Sequence, residues 1–566
     1  MPSQFESMPS SPALLHRRQW MAMALTAGAA TALWPAAHAV AVQVTPSATP
    51  QDQLIMGISM NNLLSLDPAG ATGNGVVEIA ANLYDFLIEL HPEDTTRIEP
   101  GLAQRWEVGG DGRSLVFHLR EGARFQSGAP VTAQDAAWSL HRVLRLNLAL
   151  ATPWKGYGFT AKNAERQIRA LDERTLRIDL PIATDPKMVL YTLATSVSAA
   201  VLDRQTVLLH EKDGDLGAAW LNTHAAGSGA FRLDQWRAKE ILMMSRFDGY
   251  WRGPARLRRV VMRHMTESQS LRLMLARGDL DMATGLSVPD IQALKTTPGM
   301  VVHTVQRGTM YYVAMSMQDS KFADPRVRQA VRSLIDYQGI DRAVMPFYGR
   351  LQQRPVPLGL SATLPQPGYV LDVPAARALL AQAGLGDGFD TTIRVVAEAP
   401  FINIATSVQS TLAQAGIRAS VLPGTGNQVY GAMRERKFEI VVGRGGGGAE
   451  PHPHSSLRAL AYNPDNRDAA RLTNFQGWRT GFYSPRLNGM IEQALLEPDP
   501  GAQQRAYQAI QRVYEDEVGP ILPISQMVET VVYRNTVQGY VGHPSATTRL
   551  HGVFKASAPL GAAGHG

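Results

Sequence analysis

Apolar positions along the chain switch between a period of two and a helical period, and the alternation predicts an α/β protein. Leu54-Ile55-Met56-Gly57-Ile58-Ser59 is a short apolar run that stops at Asn61-Asn62, the pattern of a first buried strand. Leu66-Asp67-Pro68 predicts a turn, because proline fixes φ and aspartate accepts from its own downstream backbone. Val76, Ile79, Ala80, Leu83 and Leu87 recur at helical spacing and predict a helix over 76–90. Segments 105–108 and 114–119 flank the turn 109–112 and predict a hairpin, with Leu115, Phe117 and Leu119 on one face. Thr132 and Asp135 stand at the N-cap and N3 positions of a capping box that opens a helix reaching Leu144. Further strands are predicted at 175–180, 231–233, 240–244 and 259–262, and helices at 267–276 and 325–335.

Beyond residue 375 the order becomes regular. A helix at 375–383, a strand at 392–396, a helix at 402–415, a strand at 419–422, another helix and a strand at 438–442 follow in turn. Strands alternating with helices at this spacing predict α/β units with largely parallel, buried strands. An amphipathic helix at 500–516 precedes an apolar segment at 521–524 and a strand at 530–533. No short-period repeat interrupts the pattern.

With 566 residues the chain is long enough for two or three globular units. Hydrophobic residues at 45 % and charged residues at 18 % exclude both a disordered chain and a membrane-embedded one. The absence of cysteine excludes disulfides, thiolate metal sites, a cysteine nucleophile and a thioether-linked lipid, so a free mature protein is expected. The formal net charge of +6 is spread without any Lys/Arg run of the kind that binds nucleic acid. At the N-terminus, Arg17-Arg18, the apolar stretch 20–34, and Pro35 before Ala37-His38-Ala39 have the layout of an export signal cleaved after Ala39. Its apolar run, roughly 15 residues, falls short of the ~20 that span a bilayer as a stable helix, and an N-terminal anchor that is never cleaved is the competing reading. The Arg-Arg-Gln-Trp-Met order is similar to a twin-arginine signal, and both that route and general secretion remain open. Residues 40–53 and 557–566 read as a flexible lead-in and tail, and the expected destination is the periplasm.

The segment 102–125, LAQRWEVGGDGRSLVFHLREGARF, carries the most specific signal. It continues through Ser127-Gly128, Pro130-Val131-Thr132-Ala133, Asp135, Ser139-Leu140 and Arg142-Val143. Other landmarks follow in order: Leu66-Asp67-Pro68, Gly227-Ser228-Gly229-Ala230-Phe231, Tyr250-Trp251 with Gly253, Gly278-Asp279-Leu280-Asp281, and Arg326 to Ala330 with Ile335-Asp336. Together they resemble bacterial extracellular solute-binding protein family 5, the dipeptide, oligopeptide and nickel-binding receptors of ABC importers, although Ala230 stands where proline is usual.

The resemblance implies a type II-like, two-lobed periplasmic-binding-protein fold whose lobes are joined by two crossover strands. Lobe I would comprise 54–300 and 527–556, with an extra subdomain about 70–215, and lobe II 301–526. It implies a monomeric receptor without catalytic activity or cofactor, which encloses a peptide or peptide-like solute by hinge closure and delivers it to an inner-membrane permease and its ATPase. The competing expectations are a secreted hydrolase on the same scaffold, a receptor for a non-peptide anionic solute or metal chelate, and a sensory or chaperone role. No G-x-S-x-G, H-E-x-x-H or P-loop motif supports the hydrolase.

Candidate ligand-binding residues cluster in three places. Met60 and Asn61 end the first strand, where ligands sit in open α/β sheets. Tyr311, beside Tyr312, is expected near a crossover. The glycine-rich stretch after the 438–442 strand contributes Arg444, Gly445, Gly446 and Gly447, followed by Glu450, and Asn474 is expected to line the same cleft. Residues 443–448 satisfy G-x-G-x-x-G, but Pro451 and Pro453 do not permit the helix that a dinucleotide site needs at once. A flexible surface loop is one reading of the stretch. A cleft-lining loop is preferred, because it resembles the family segment that contacts ligand. Peptide-binding members place an aspartate here for the ligand's ammonium, whereas this chain has Gly446 and Gly447, with Glu450 the nearest carboxylate. Either Glu450 takes that role or the solute is not an ordinary peptide, and Arg444 suits the bidentate capture of an anionic group. His452 and His454 lack a third ligand and read as a solvated loop, with no metal expected. Asp465, Asn466 and Asp468 read as turn residues.

Overall fold

The structure, a computed structural model, describes residues 47–71, 74–446 and 450–556, all within one unit, Val42–Gly566. The expected export signal, Gly447 and the 557–566 tail lie outside the described residues.

Local chemistry sets the first subdomain. Strands Ala103–Val108 and Ser114–Leu119 pair antiparallel around the Gly109–Gly112 turn, and the sheet is completed by Thr175–Asp179 and Ile168–Ala170. Its inward positions, Leu115, Phe117 and Leu176, pack with Trp154 and Phe159. The helix Ala133–Leu146 covers this core and opens on a reciprocal cap. Thr132 Oγ1 accepts from the Asp135 N–H at 3.2 Å, and Asp135 Oδ2 accepts from the Thr132 N–H at 3.0 Å. Two helical turns on, Arg142 is buried and donates through both Nη atoms to Asp67 Oδ1 and Oδ2, at 2.7 and 2.6 Å.

Among the described residues the largest sheet has 11 strands. Two long strands, Met300–Met315 and Ile521–Arg534, pair antiparallel along most of their length at its centre. To one side of them lie Ile440–Gly445, Phe389–Val396 and Ile417–Gly424, mutually parallel. To the other lie Met282–Thr284, Gln53–Ile58 and Arg259–His264, again mutually parallel, with the antiparallel strands Ile241–Arg246 and Phe231–Arg237 beyond. Each flank has its own core: Leu54, Met56, Phe231 and Met262 on one, Tyr312, Val313, Ile393 and Val442 on the other. The long strands belong to both flanks, which makes the molecule two lobes joined by two crossovers.

The structure departs from the sequence pattern in four places. The helix expected over 76–90 ends at Leu83, and Ile88–Leu90 pairs instead with Ile98–Pro100. Asp85 lies at the break with its carboxylate turned inward. Oδ1 accepts from Tyr250 Oη at 3.0 Å, while Oδ2 accepts from Ser228 Oγ at 3.0 Å and Trp251 Nε1 at 3.1 Å. Burial raises the pKa of this carboxyl, and the Arg549 guanidinium opposes the rise. The segments expected apart at 521–524 and 530–533 form one strand, because 525–529 between them also pairs with the other long strand; Pro523 sits opposite Tyr312, where the register shifts. The strand expected at 438–442 runs from Ile440 to Gly445, so Arg444 and Gly445 are ladder residues facing Tyr311 and Met310. The histidines expected in a solvated loop are buried: His452 caps the helix Pro453–Ala461, and His454 lies against Tyr507, its Nδ1 3.2 Å from Oη.

The Gly227–Gly229 landmark has a steric cause. A Cβ on Gly227 would lie 2.0 Å from the Leu83 carbonyl oxygen, and one on Gly229 would lie 2.5 Å from that of Asn82. Gly227→Ala is therefore expected to lower stability by about 1–3 kcal/mol through overpacking, read as a drop in thermal midpoint. Replacement at Gly110, whose Cβ would meet nothing within 4 Å, is the control and should leave the midpoint nearly unmoved.

Candidate functional site

Parallel strands end together, so their carboxyl ends present loops to one edge of a sheet, the place where open α/β sheets bind ligands. Here the two parallel sets present such edges to each other. From lobe I, Gln53–Ile58 leads into Ser59–Leu63, Arg259–His264 into Met265–Ser268, and Met282–Thr284 into Gly285–Ser287. From lobe II, Phe389–Val396 leads into Glu398–Phe401, and Ile440–Gly445 ends with Arg444 on the wall. The cleft between them has an outer part of 500 Å³ and an inner part of 280 Å³. Both parts share Ser59, Gly75 and Gly285 from one lobe and Tyr348, Glu398 and Ala399 from the other.

Several contacts fix the walls. The Met60 N–H donates to His264 Nδ1 at 2.9 Å, tying the end of the first strand to its neighbour. Met60 is buried and Asn61 is exposed, and both line the outer part. Tyr348 Oη donates to the Leu286 carbonyl at 3.1 Å and links the lobes behind the cleft. Tyr311 reaches the inner part from the crossover strand, edge-on to Phe401 at 5.4 Å between centroids. Burial pushes its hydroxyl up to about 12, so it is a neutral hydrogen-bonding group at any physiological pH. The Arg444 backbone N–H donates to Tyr430 Oη at 3.0 Å. Its guanidinium stands 5.8 Å from the Phe401 ring centroid, exposed to the cleft and without an ion pair among the described residues. A Cβ on Gly445 would lie 2.1 Å from Gln476 Nε2, so a side chain there would require the Gln476 amide to move. Gly446 turns the chain away with φ +100, a conformation that favours glycine.

Glu450 and Asn474 are not brought together with Arg444. They line a separate recess of 490 Å³, walled by Thr152–Tyr157 of lobe I and by Arg458 and 470–475 of lobe II. Here the lobes touch directly: Asn474 Nδ2 donates to Thr152 Oγ1 at 3.0 Å, and Thr192 Oγ1 lies 3.4 Å from Glu450 Oε1. Burial raises the Glu450 pKa, with its own backbone N–H and the Thr192 and Ser455 hydroxyls opposing. Sequence reasoning passed over Glu78, Glu398, Phe401 and Glu529, all of which line the inner part of the cleft. For Glu398 and Phe401 the available signal was position, immediately after a parallel strand. Among the described residues no three His, Asp or Glu side chains are grouped to hold a metal ion.

Residues 97–468 match the family model described as bacterial extracellular solute-binding proteins, family 5 Middle. A probable D,D-dipeptide-binding periplasmic protein, DdpA of Escherichia coli K12, is 24 % identical, with 90 % of this chain and 94 % of that protein aligned. Among solved structures, the ABC transporter-associated periplasmic protein DppA from Helicobacter pylori, in complex with the peptide STSA, superposes with TM-score 0.76 at 23 % identity. The match covers 89 % of this chain and 98 % of that one. MoaA of A. tumefaciens R10, in complex with mannopinic acid, gives TM-score 0.76 at 20 % identity, covering 89 % of this chain and 100 % of that one. The matched model, the two crossovers and the facing carboxyl ends agree, and the chain belongs to the bacterial extracellular solute-binding proteins of family 5.

Proposed function

We propose that this chain is the periplasmic substrate-binding protein of an ABC importer, holding a peptide or peptide-like solute in the cleft between its lobes and handing it to a membrane permease. The observation that carries the reading is the cleft itself, lined by the carboxyl ends of parallel strands from both lobes and spanned behind by two crossover strands. A solute that touches both walls has higher affinity for the closed form and shifts the population towards it, which is how a permease distinguishes loaded from empty receptor. The names of the relatives, a D,D-dipeptide-binding protein and a receptor crystallised with STSA, favour peptides, while the mannopinic acid complex shows that the fold alone does not fix the solute.

On this reading residues 54–300 and 527–556 form one lobe, with the extra subdomain inside it, and 301–526 the other. The contacts to solute come from Asn61, Tyr311 and Arg444, with Met60, Gly445 and Gly446 shaping the wall. Glu450 and Asn474 act where the lobes close on each other. The N-terminal 39 residues are an export signal, and the receptor works as a monomer without catalysing a reaction on its cargo.

Native mass spectrometry of protein exported to the periplasm and purified without denaturation tests the proposal. The expected spectrum shows a mature chain beginning after Ala39 with one small solute bound. A chain that stays unloaded, and whose melting temperature no peptide or small-solute panel raises, would contradict it.

A further inference from the structure

Glu78 lies on the first helix of lobe I, Asn74–Leu83, and lines the inner part of the cleft. The residue as a whole is half-buried, but its carboxyl oxygen Oε1 is sealed from solvent and has no hydrogen-bond partner among the described residues. Leaving a buried carboxyl oxygen unpaired is unfavourable, so a stable fold keeps one in a cavity wall only when something else meets it there. Two charged groups act on it, one acidic and one basic, Glu529 and Arg307. Glu529, from the crossover strand, and Glu398, from the opposite lobe, line the same inner cleft. The Arg307 guanidinium is already committed: Nε donates to Glu529 Oε2 at 2.8 Å, Nη2 pairs with the same carboxylate, and Nη1 donates to the His543 carbonyl. Arg444 is the remaining cation on the cleft wall, beside Phe401. With Glu529 paired to Arg307, two carboxyl groups, Glu78 and Glu398, stand against one uncommitted guanidinium, which runs counter to the anionic solute that Arg444 alone suggests.

We propose that Glu78, backed by Glu529 and faced by Glu398, is the receptor for a cationic group of the solute, a primary ammonium or a guanidinium, and so sets specificity in this cleft. The inference rests on the solute-binding reading above and names the class of solute. A cation entering between Glu78 and Glu398 touches both lobes, so the charge that selects the solute also favours closure.

The empty cleft is poised for this. Burial, reinforced by Glu529 and opposed by Arg307, raises the Glu78 pKa to about 8, and the carboxyl also acts on the Tyr540 hydroxyl. At pH 7 the empty receptor therefore holds Glu78 protonated. An arriving cation favours the ionised form, and binding releases close to one proton. Affinity rises as pH increases towards 8, because less work is then needed to remove that proton. Above pH 8 it levels off for an alkylammonium or guanidinium, and it falls for an α-ammonium group, which itself loses its proton near 8.

Titration calorimetry of the mature receptor at pH 7, in two buffers of different ionisation enthalpy, counts that proton. The probes are the solute identified by mass spectrometry, together with trialanine, N-acetyl-trialanine, Nα-acetyl-lysine and spermidine, which separate an α-ammonium from a side-chain ammonium and from a free polyamine. The expected result is a cationic solute, about one proton released in the wild type and none in Glu78→Gln, with affinity for the cation at least about thirtyfold weaker in the variant. The proton count on the wild type stands even if the variant folds poorly. A solute without a cationic group, bound equally by Glu78→Gln with no proton released, would overturn the inference while leaving solute binding intact. If neither a co-purified solute nor any probe binds, the solute-binding reading falls and this inference falls with it.

Discussion

Replacing Arg142 by methionine is expected to lower stability by about 3–5 kcal/mol. Arg142 and Asp67 are both buried, and they form a bidentate pair at 2.6 and 2.7 Å. Arg142 Nε donates further to the Leu216 carbonyl at 2.8 Å, and Asp67 Oδ1 also accepts from the Ala69 N–H at 3.0 Å. The pair joins the turn after the first strand to the helix Ala133–Leu146, so it holds the extra subdomain against the lobe. Removing the guanidinium leaves Asp67 buried without a counter-charge, and that uncompensated charge sets the size of the effect. Arg142→Met combined with Asp67→Leu removes both charges and should be less destabilised than Arg142→Met alone, because no buried carboxylate is then left unpaired. Urea unfolding followed by tryptophan fluorescence checks both variants. A single variant that loses less than about 1 kcal/mol would show that the pair is not sealed from water.

Filling the neck of the cleft should abolish binding with little effect on the fold. Ser59 is exposed, follows the first strand, and lies where the outer and inner parts of the cleft meet. An indole at this position would occupy the space between the Ser59 wall and Glu398-Ala399 without entering either core. Ser59→Trp is expected to weaken solute binding by at least about thirtyfold, roughly 2 kcal/mol, while the melting midpoint of the empty protein stays within about 2 °C of wild type. Ser59→Ala should bind nearly as well as wild type. Calorimetry with the solute released from the wild-type protein checks all three, and undiminished binding by Ser59→Trp would place the solute elsewhere.

The fold was legible wherever local chemistry and tertiary demand agree. Thr132 and Asp135 announce a helix start because their capping box depends on residues three apart, and the hairpin at 103–119 depends on one glycine-rich turn. The alternation beyond residue 375 was legible because period-two and helical apolar patterns take turns there, with Ile440–Gly445 buried on both faces over its first residues. The reading failed where a distant partner decided the outcome. Asp85 ends a helix that the apolar spacing continues, because Ser228, Tyr250 and Trp251 converge on its carboxylate from more than 140 residues away. The segments at 521–524 and 530–533 stood apart on paper, while in the sheet one strand runs through both.

The candidate site was legible in outline and not in charge. Met60, Asn61, Tyr311 and Arg444 were found from strand ends and from the family resemblance, and they line one cleft. Glu78 was passed over because one glutamate among apolar helix positions looks like the solvated face of an amphipathic helix; only the fold turns it into a cavity. Glu450 was selected as the carboxylate nearest in sequence to Gly446 and Gly447, but it lines a different recess from Arg444. The histidines at 452 and 454 gave no sign of burial, since the aromatic rings that cover them, Tyr191 and Tyr507, lie far away in sequence.

A crystal structure of the receptor with its co-purified solute is the most direct test of the central claim, that the facing carboxyl ends of the two parallel strand sets form the binding site. The predicted result is a solute enclosed between Ser59 and Glu398, in contact with both lobes and with its cationic end at Glu78. A solute resting in the recess between Thr152 and Asn474, or bound to one lobe alone, would contradict it.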